Sequence, residues 1–278
     1  MPELPEVETM RRGLLPTVGS RIVSVTVPPS RYRPIAMTPP LPKLRERLVG
    51  RRIDAIRRLG KRVLVDLDST DVLVLQPKMA GLVSLDAVPS DAHLRLVIEL
   101  SGGTADRLKY WDRRGLGTVH LWTAGELAEQ LGERRLGPDA LEVSFEEFVA
   151  RFAPLRREVK PALLEQHRVA GIGNLYASEI LHRAGISPHR RCESFTRPAW
   201  RKIYDQMRSV LAEAIEHEGS TLSDGTYRNT LNQAGGYQNS HLVYDRAGQR
   251  CLSCSRGEIT RVVQAQRSTF FCPRCQRR

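Results

Sequence analysis

The sequence predicts an α+β fold: an opening helix and an N-terminal antiparallel β-sandwich, then a mainly helical region, then a closing hairpin that carries cysteines. Three observations predict it. Short alternating or apolar runs fill the first half, at 21–27, 52–56, 62–68, 72–75, 94–100, 107–111 and 118–122. Turn-rich pieces such as Ser101-Gly102-Gly103 and the proline-rich 34–42 separate them, the pattern of antiparallel strands in a sandwich or barrel. Near Thr123 the period becomes helical, with runs at 124–131, 144–152, 160–166, 174–183 and 198–218, several with Ser, Thr or Asn where a helix cap belongs. Last, four of the five cysteines form two Cys-x2-Cys pairs near the C-terminus.

The opening helix is read from MPELPEVETMRRGLL. Proline lacks the amide hydrogen that a first turn leaves unpaired, and carboxylates complement the positive end of the helix dipole. Val7, Met10 and Leu14 fall at i, i+3 and i+7 and give one apolar stripe. This packing role accounts for the helix and leaves open whether Pro2, Glu3, Glu6 and Glu8 also carry chemistry. The segment 132–141, with Leu136-Gly137-Pro138-Asp139, reads as a hinge between the halves. From Glu218 to about Ser240 the chain is polar and rich in Gly, Asn, Ser and Gln, a long loop that is either disordered or functional.

At 278 residues the chain is long enough for two domains, each with its own core and no need of disulfides. A charged start followed by an apolar stretch is absent, as is any run of eighteen apolar residues, so neither a signal peptide nor a membrane span is expected. The expected compartment is the cytosol. Lys and Arg total 43 against 31 acidic residues, a net +12 spread over the whole length, which points to a polyanion-binding face on a folded body. A solvated basic surface with no partner is the alternative.

The cysteine pairs are Cys251-Leu-Ser-Cys254 and Cys272-Pro-Arg-Cys275, with 17 residues between them. In a reducing compartment this is the spacing of two metal knuckles closed by a hairpin. A redox pair is the competing reading, but neither pair lies in a strand-to-helix context of that kind. None of the seven histidines lies within a knuckle, so the expected site is one structural zinc ion held by four sulfurs. Four thiolates and the dication lower the net charge to +10 without changing its sign. Cys192 is left over and is expected to be a partly buried free thiol.

Chemistry is available at the second residue. A small residue after the initiator favours removal of Met1, which would expose Pro2 as a secondary amine. An unperturbed terminal amine titrates near ~8 against ~10.4 for lysine, so about a tenth of it is unprotonated at pH 7. The adjacent helix N-terminus disfavours the ammonium further. Such a nitrogen attacks electrophilic carbon to give an iminium, the covalent logic of a Schiff-base lysine. Glu3 stands beside it to move protons.

On these residues the chain resembles the formamidopyrimidine-DNA glycosylases of the Fpg/Nei family. Three motifs carry the resemblance in order: Met-Pro-Glu-Leu-Pro-Glu-Val-Glu-Thr followed by Arg-Arg-Gly, then Gly171-Ile172-Gly173-Asn174-Leu175-Tyr176-Ala177-Ser178-Glu179, then the knuckles around Ala265-Gln266-Arg267-Ser268-Thr269-Phe270. It runs nearly end to end. It implies a catalytic β-sandwich domain at 1–131, a hinge at 132–143, a helix-two-turn-helix domain with a lesion-capping loop at 144–240, and a zinc finger at 241–278. The implied activity is a bifunctional glycosylase and abasic-site lyase of base excision repair, acting on oxidised purines in double-stranded DNA through a proline Schiff base and β,δ-elimination. The implied protein is a monomer in the bacterial cytoplasm, at the nucleoid, and makes no membrane contact.

The resemblance also assigns residues. Pro2 would be the nucleophile and Glu3 its proton donor, with Lys61 beside the damaged nucleotide and Arg267 gripping flanking phosphates. Met79, Arg114 and Leu116 would fill the gap left by a flipped base, and Asn174 would meet a phosphate at a helix start. From pattern alone core packing is the lesser alternative for Met79 and Leu116, and an ordinary basic residue at a strand start the lesser alternative for Lys61. Three departures from the family pattern stand out: Asp-Arg-Arg-Gly-Leu-Gly at 112–117 where Asp-Pro-Arg-Arg-Phe-Gly is common, Asp91 where a DNA-contacting histidine is usual with His93 two residues on, and Gly235-Gly236-Tyr237-Gln238 without a preceding proline. The alternatives are an endonuclease VIII-like enzyme for oxidised pyrimidines and a non-catalytic zinc-ribbon DNA-binding protein.

Overall fold

The computed structural model describes residues 2–85, 88–132, 135–221 and 235–277, so Met1 and most of the expected capping loop lie outside it. The chain divides into two compact units, Met1–Gly132 with Ile215–Gln238, and Glu133–Ala214 with Asn239–Arg278. Of the described residues after Ala214, 215–221 and 235–238 group with the β-rich unit.

The first unit opens with α1 (Leu4–Gly13), whose Val7, Met10 and the following Leu14 are at most 1% exposed. The strands are β1 (Arg21–Thr26), β2 (Ala36–Thr38), β3 (Ile53–Leu59), β4 (Arg62–Leu67), β5 (Val72–Gln76), β6 (Gly81–Ser84), β7 (Leu94–Ser101), β8 (Arg107–Asp112) and β9 (Thr118–Trp122). They form a sheet in the order β1-β7-β8-β6 and a second in the order β2-β9-β5-β4-β3. One apolar core unites both sheets and α1: Ile22, Leu96 and Ile98 from one side, Val63, Val65 and Leu73 from the other, with Val7 and Met10 between. β4 and β5 are apolar on both faces, because Leu64, Val72 and Val74 pack beneath Leu127 of α3 (Ala124–Leu131). That explains their continuous rather than alternating runs.

Three elements escape the sequence pattern. The proline-rich 34–42, read as turns, holds β2 and runs into α2 (Leu41–Leu48), where Pro42 sits in the first turn and Leu44 and Leu48 are buried one helical turn apart. Proline is tolerated there because its missing N–H would have been unpaired anyway. β6 is four residues long, too short to register as alternation.

In the second unit α4 (Phe145–Phe152) is capped by Ser144, whose Oγ accepts from Glu147 N at 3.2 Å, and its Phe148 and Phe152 pack on Trp200 of α7 (Arg197–Glu216). α5 (Val159–Leu163) is shorter than the 160–166 run suggested. Gln166 instead shapes the turn into α6 (Asn174–Arg183): its amide donates to Leu164 O and Ile172 O and its Oε1 accepts from Gly171 N. Gly171 takes φ +111°, which only glycine adopts readily. The antiparallel hairpin of β10 (Thr260–Gln264) and β11 (Arg267–Phe271) closes the unit. No helix among the described residues is long and apolar enough to cross a membrane. Cys192 is fully buried rather than partly so, and burial pushes its thiol up to about 12.

Candidate active site and nucleic-acid interface

Pro2 is buried, and Glu3, 4% exposed, is the N-cap of α1. The other two glutamates of the opening stretch are structural. Glu6, 3% exposed, accepts from Glu3 N at 2.8 Å through one oxygen and from Ser220 N at 2.9 Å through the other. A side chain at Gly219 would collide with Glu6, so the backbone at 219–220 lies directly against the carboxylate. Glu8 is held by Arg11, Arg12 and by Arg58 of β3 at 3.1 Å. Burial alone would raise its pKa, but hydrogen bonds and charge from these arginines hold the carboxyl below its ordinary value.

Glu8 therefore stabilises the fold above the unfolded carboxylate value, and that contribution is lost as pH falls from about 4.3 through its lower folded value. Glu8→Gln is expected to cost about 2 kcal/mol at pH 7, discounted for the exposed Arg12 arm, and to flatten the acid limb of stability below about pH 4.5. Urea titrations across pH check this; an unchanged acid limb would show that the network contributes nothing.

α1 packs on β3, β4 and β6. Lys61 stands at the two-residue turn of the β3–β4 hairpin, after Gly60 at φ +56°, and is half-buried. It is a turn residue, not part of either strand. Met79 lies on the loop between β5 and β6, and Arg114 and Leu116 on the loop between β8 and β9; Met79 and Leu116 are half-buried and Arg114 is exposed. Neither apolar residue joins the sandwich core. The structure brings the two loops together, since β6 pairs with β8 and Arg113 N donates to Ala80 O at 3.4 Å.

Asp112 shapes the second loop. Fully buried, it accepts from the amides of Arg114, Gly115, Leu116 and Gly117 at 2.6–3.1 Å. Glycine is needed at 115, where φ is +61° and a Cβ would meet Arg33 O at 2.3 Å. His93 ends a short 3-10 turn, lies 4.3 Å from the Tyr32 ring, and accepts from Arg95 at 3.4 Å through Nδ1. Burial and the neighbouring Arg95 and Arg113 lower its pKa against the pull of Asp112, so it offers a neutral imidazole at pH 7. Asp91 is exposed at the start of the same turn.

In the second unit Asn174 begins α6 and donates to Ser268 O at 2.9 Å. Its Oδ1 accepts from Lys160 at 2.7 Å, and that lysine, with no exposed surface, also donates to Ser268 O and Thr269 Oγ1. Lys160 thus fixes the hairpin beside Arg267, which is exposed as the first residue of β11. The hairpin turn, Ala265-Gln266, has both residues at positive φ, the two-residue turn that matches strand twist. Further along α6, Glu179 accepts from the amides of Leu242, Val243 and Tyr244, and His182 bonds Ser253 of the first knuckle and Gln276 beside the second. α6 therefore holds the knuckles and the segment that leads into them, while Lys160 of α5 fixes the hairpin.

The four cysteine sulfurs lie within 4.8 Å of one another, with Cys251–Cys275 and Cys254–Cys272 at 3.8 Å. A tetrahedron of zinc–sulfur bonds of about 2.3 Å has edges of about 3.8 Å, so the donors fit zinc. Backbone amides of Arg256 and Gly257 depress the Cys254 thiol to about 6, and a Cβ at Gly257 would strike Cys272 Sγ at 2.5 Å.

A β-sandwich whose opening helix follows Pro2 and Glu3, a helical unit and a four-sulfur finger together define a basic, zinc-bearing protein of nucleic-acid chemistry. Family models match along the chain: the formamidopyrimidine-DNA glycosylase N-terminal domain at residues 1–119, its H2TH domain at 136–226, and the zinc finger found in FPG and IleRS at 248–278. The chain belongs to the formamidopyrimidine-DNA glycosylase family. It is 38% identical to the formamidopyrimidine-DNA glycosylase of Solibacter usitatus over the whole of both chains. The crystal structure of the MutM (Fpg) protein of Thermus thermophilus is 39% identical, with TM-score 0.84 over 99% of this chain and 98% of that one. Lactococcus lactis Fpg in complex with DNA containing an abasic site is 30% identical, with TM-score 0.86 over all of both.

Proposed function

We propose that this chain is a bifunctional DNA glycosylase and abasic-site lyase that removes 8-oxoguanine and formamidopyrimidines from duplex DNA with Pro2 as nucleophile. The observation that carries this reading is the position of Pro2, buried at the mouth of a ten-residue helix whose N-cap is Glu3. The Lactococcus lactis relative seen with DNA containing Fapy-dG supports the lesion class.

The damaged nucleotide leaves the stack at a cost of a few kcal/mol, and Met79, Leu116 and Arg114 occupy the space it vacates. Once Met1 is removed, the Pro2 nitrogen attacks C1′ and the base departs with its bonding pair and a proton. Glu3 protonates the ring oxygen, and the sugar opens to an iminium. This draws electrons from the neighbouring C–H bond; loss of the C2′ proton expels the 3′ phosphate, and a second elimination expels the 5′ phosphate. Lys61 and Arg267 neutralise the phosphates, Asn174 holds the backbone, and His93 contributes a neutral hydrogen bond. The zinc ion holds the finger that carries Arg267. The protein works as a monomer in the cytoplasm, on nucleoid DNA.

Excision time courses on duplexes carrying 8-oxoguanine, a formamidopyrimidine or an oxidised pyrimidine test the lesion class. The purine lesions are expected to be removed at least about tenfold faster. The opposite order would move the assignment to an endonuclease VIII-like specificity.

A further inference from the structure

The end of α6 is built around one histidine. Gly185, at φ +69°, stops the helix: its amide turns back to His182 O and that of Ile186 to Leu181 O, both at 3.0 Å. The chain then runs against the last residues of the finger, where Ile186 bridges Arg277. His182 lies in the last turn of α6 and is 4% exposed, and Gln276 is 2% exposed. The bonds of Gln276 fix which way its amide faces. Its Nε2 donates to Ile186 O at 2.9 Å, so its Oε1 is the atom that accepts from Cys272 N at 2.9 Å and lies 3.1 Å from His182 Nδ1. Turning the amide over would set its nitrogen against the Cys272 N–H and its oxygen against the Ile186 carbonyl.

His182 Nδ1 must therefore carry a proton and donate it to Gln276 Oε1. Burial lowers the pKa of the ring, which is neutral at pH 7, so Nε2 keeps its lone pair and accepts from Ser253 Oγ at 2.9 Å. Ser253 stands between the two cysteines of the first knuckle, and Gln276 follows the last cysteine of the second. One imidazole thus joins both knuckles, with a donor on one nitrogen and an acceptor on the other. An apolar ring of the same size would fill the space and make neither bond. We infer that His182 is a positioning residue for the zinc site, its Nδ1–H tautomer clasping the two knuckles together and slowing release of the ion. Zinc leaves only when the cysteine pairs part, and the oxygen that His182 holds also holds the backbone amide of the ligand Cys272. Ser253 is exposed, so its bond to the buried ring is what ties that side of the first knuckle to α6.

The experiment follows zinc release from the zinc-loaded full chain into a chromogenic chelator at pH 7. His182→Phe is expected to release the ion about tenfold faster, and Ser253→Ala about threefold faster. The double variant should be no faster than His182→Phe alone, because both changes break the same link. His182→Asn, whose amide nitrogen donates in place of Nδ1, should recover part of the loss. Long-range proton–nitrogen spectra of the parent should show a neutral ring protonated at Nδ1, a signature that packing alone would not set. Release rates unchanged from the parent, additive effects in the double variant, or a ring protonated at Nε2 would each overturn the inference. Ser253 is exposed, so Ser253→Ala reads the clasp even where His182→Phe fails to fold.

Discussion

Protein whose N-terminal nitrogen is blocked, by acetylation of Pro2 or by retention of Met1, is expected to lose base excision and strand scission by about 10⁴-fold or more. Binding to the lesion duplex should persist, because the basic surface is untouched. The physical reason is that an amide nitrogen has given its lone pair to the carbonyl and cannot attack C1′. Pro2→Gly is a weaker test, since it leaves a primary amine in the same place. Burst and single-turnover kinetics on the blocked protein check the expectation, and a rate within about tenfold of the free protein would assign the covalent step to another residue.

Removal of zinc is expected to have the next largest effect. The hairpin ladder and the bonds from His182 and Lys160 are few beside a structural zinc site, which supplies about 10–16 kcal/mol of folding free energy. Chelation should therefore unfold the hairpin, release Ser268 and Thr269 from Lys160, and leave Arg267 without a fixed position. Loss of its charge-assisted bonds, about 1.5–3 kcal/mol, corresponds to a fall in duplex affinity of roughly tenfold to a hundredfold. The β-rich unit has its own core and should melt as before. Hydrogen exchange with and without chelator resolves the two units; joint loss of protection in both would contradict this separation.

The contrast between what the sequence announces and what it conceals is one of distance along the chain. The helix start at Pro2 and Glu3 and the two cysteine knuckles are legible because each is signalled by neighbours within a few residues. The roles of Glu6, Lys160 and Glu179 are not, because Glu6 meets Ser220 across 214 positions, Lys160 meets Thr269 across 109 and Glu179 meets Val243 across 64. A buried charge looks in sequence like any surface charge until its partners are placed. Asp112 is intermediate: its donors lie two to five residues on, and an acid before Gly-x-Gly is a signal for a loop held by its own side chain. The same logic explains the missed α2 and β6, whose prolines and brevity hide elements that packing completes.

For the nucleophile, the most direct measurement is borohydride reduction of the protein on an abasic duplex, followed by proteolysis and mass spectrometry of the adduct. The reduced sugar should be found on the nitrogen of residue 2, in a peptide that has lost Met1. An adduct on a lysine, or efficient strand cleavage by protein in which every N-terminus is intact, would contradict the assignment.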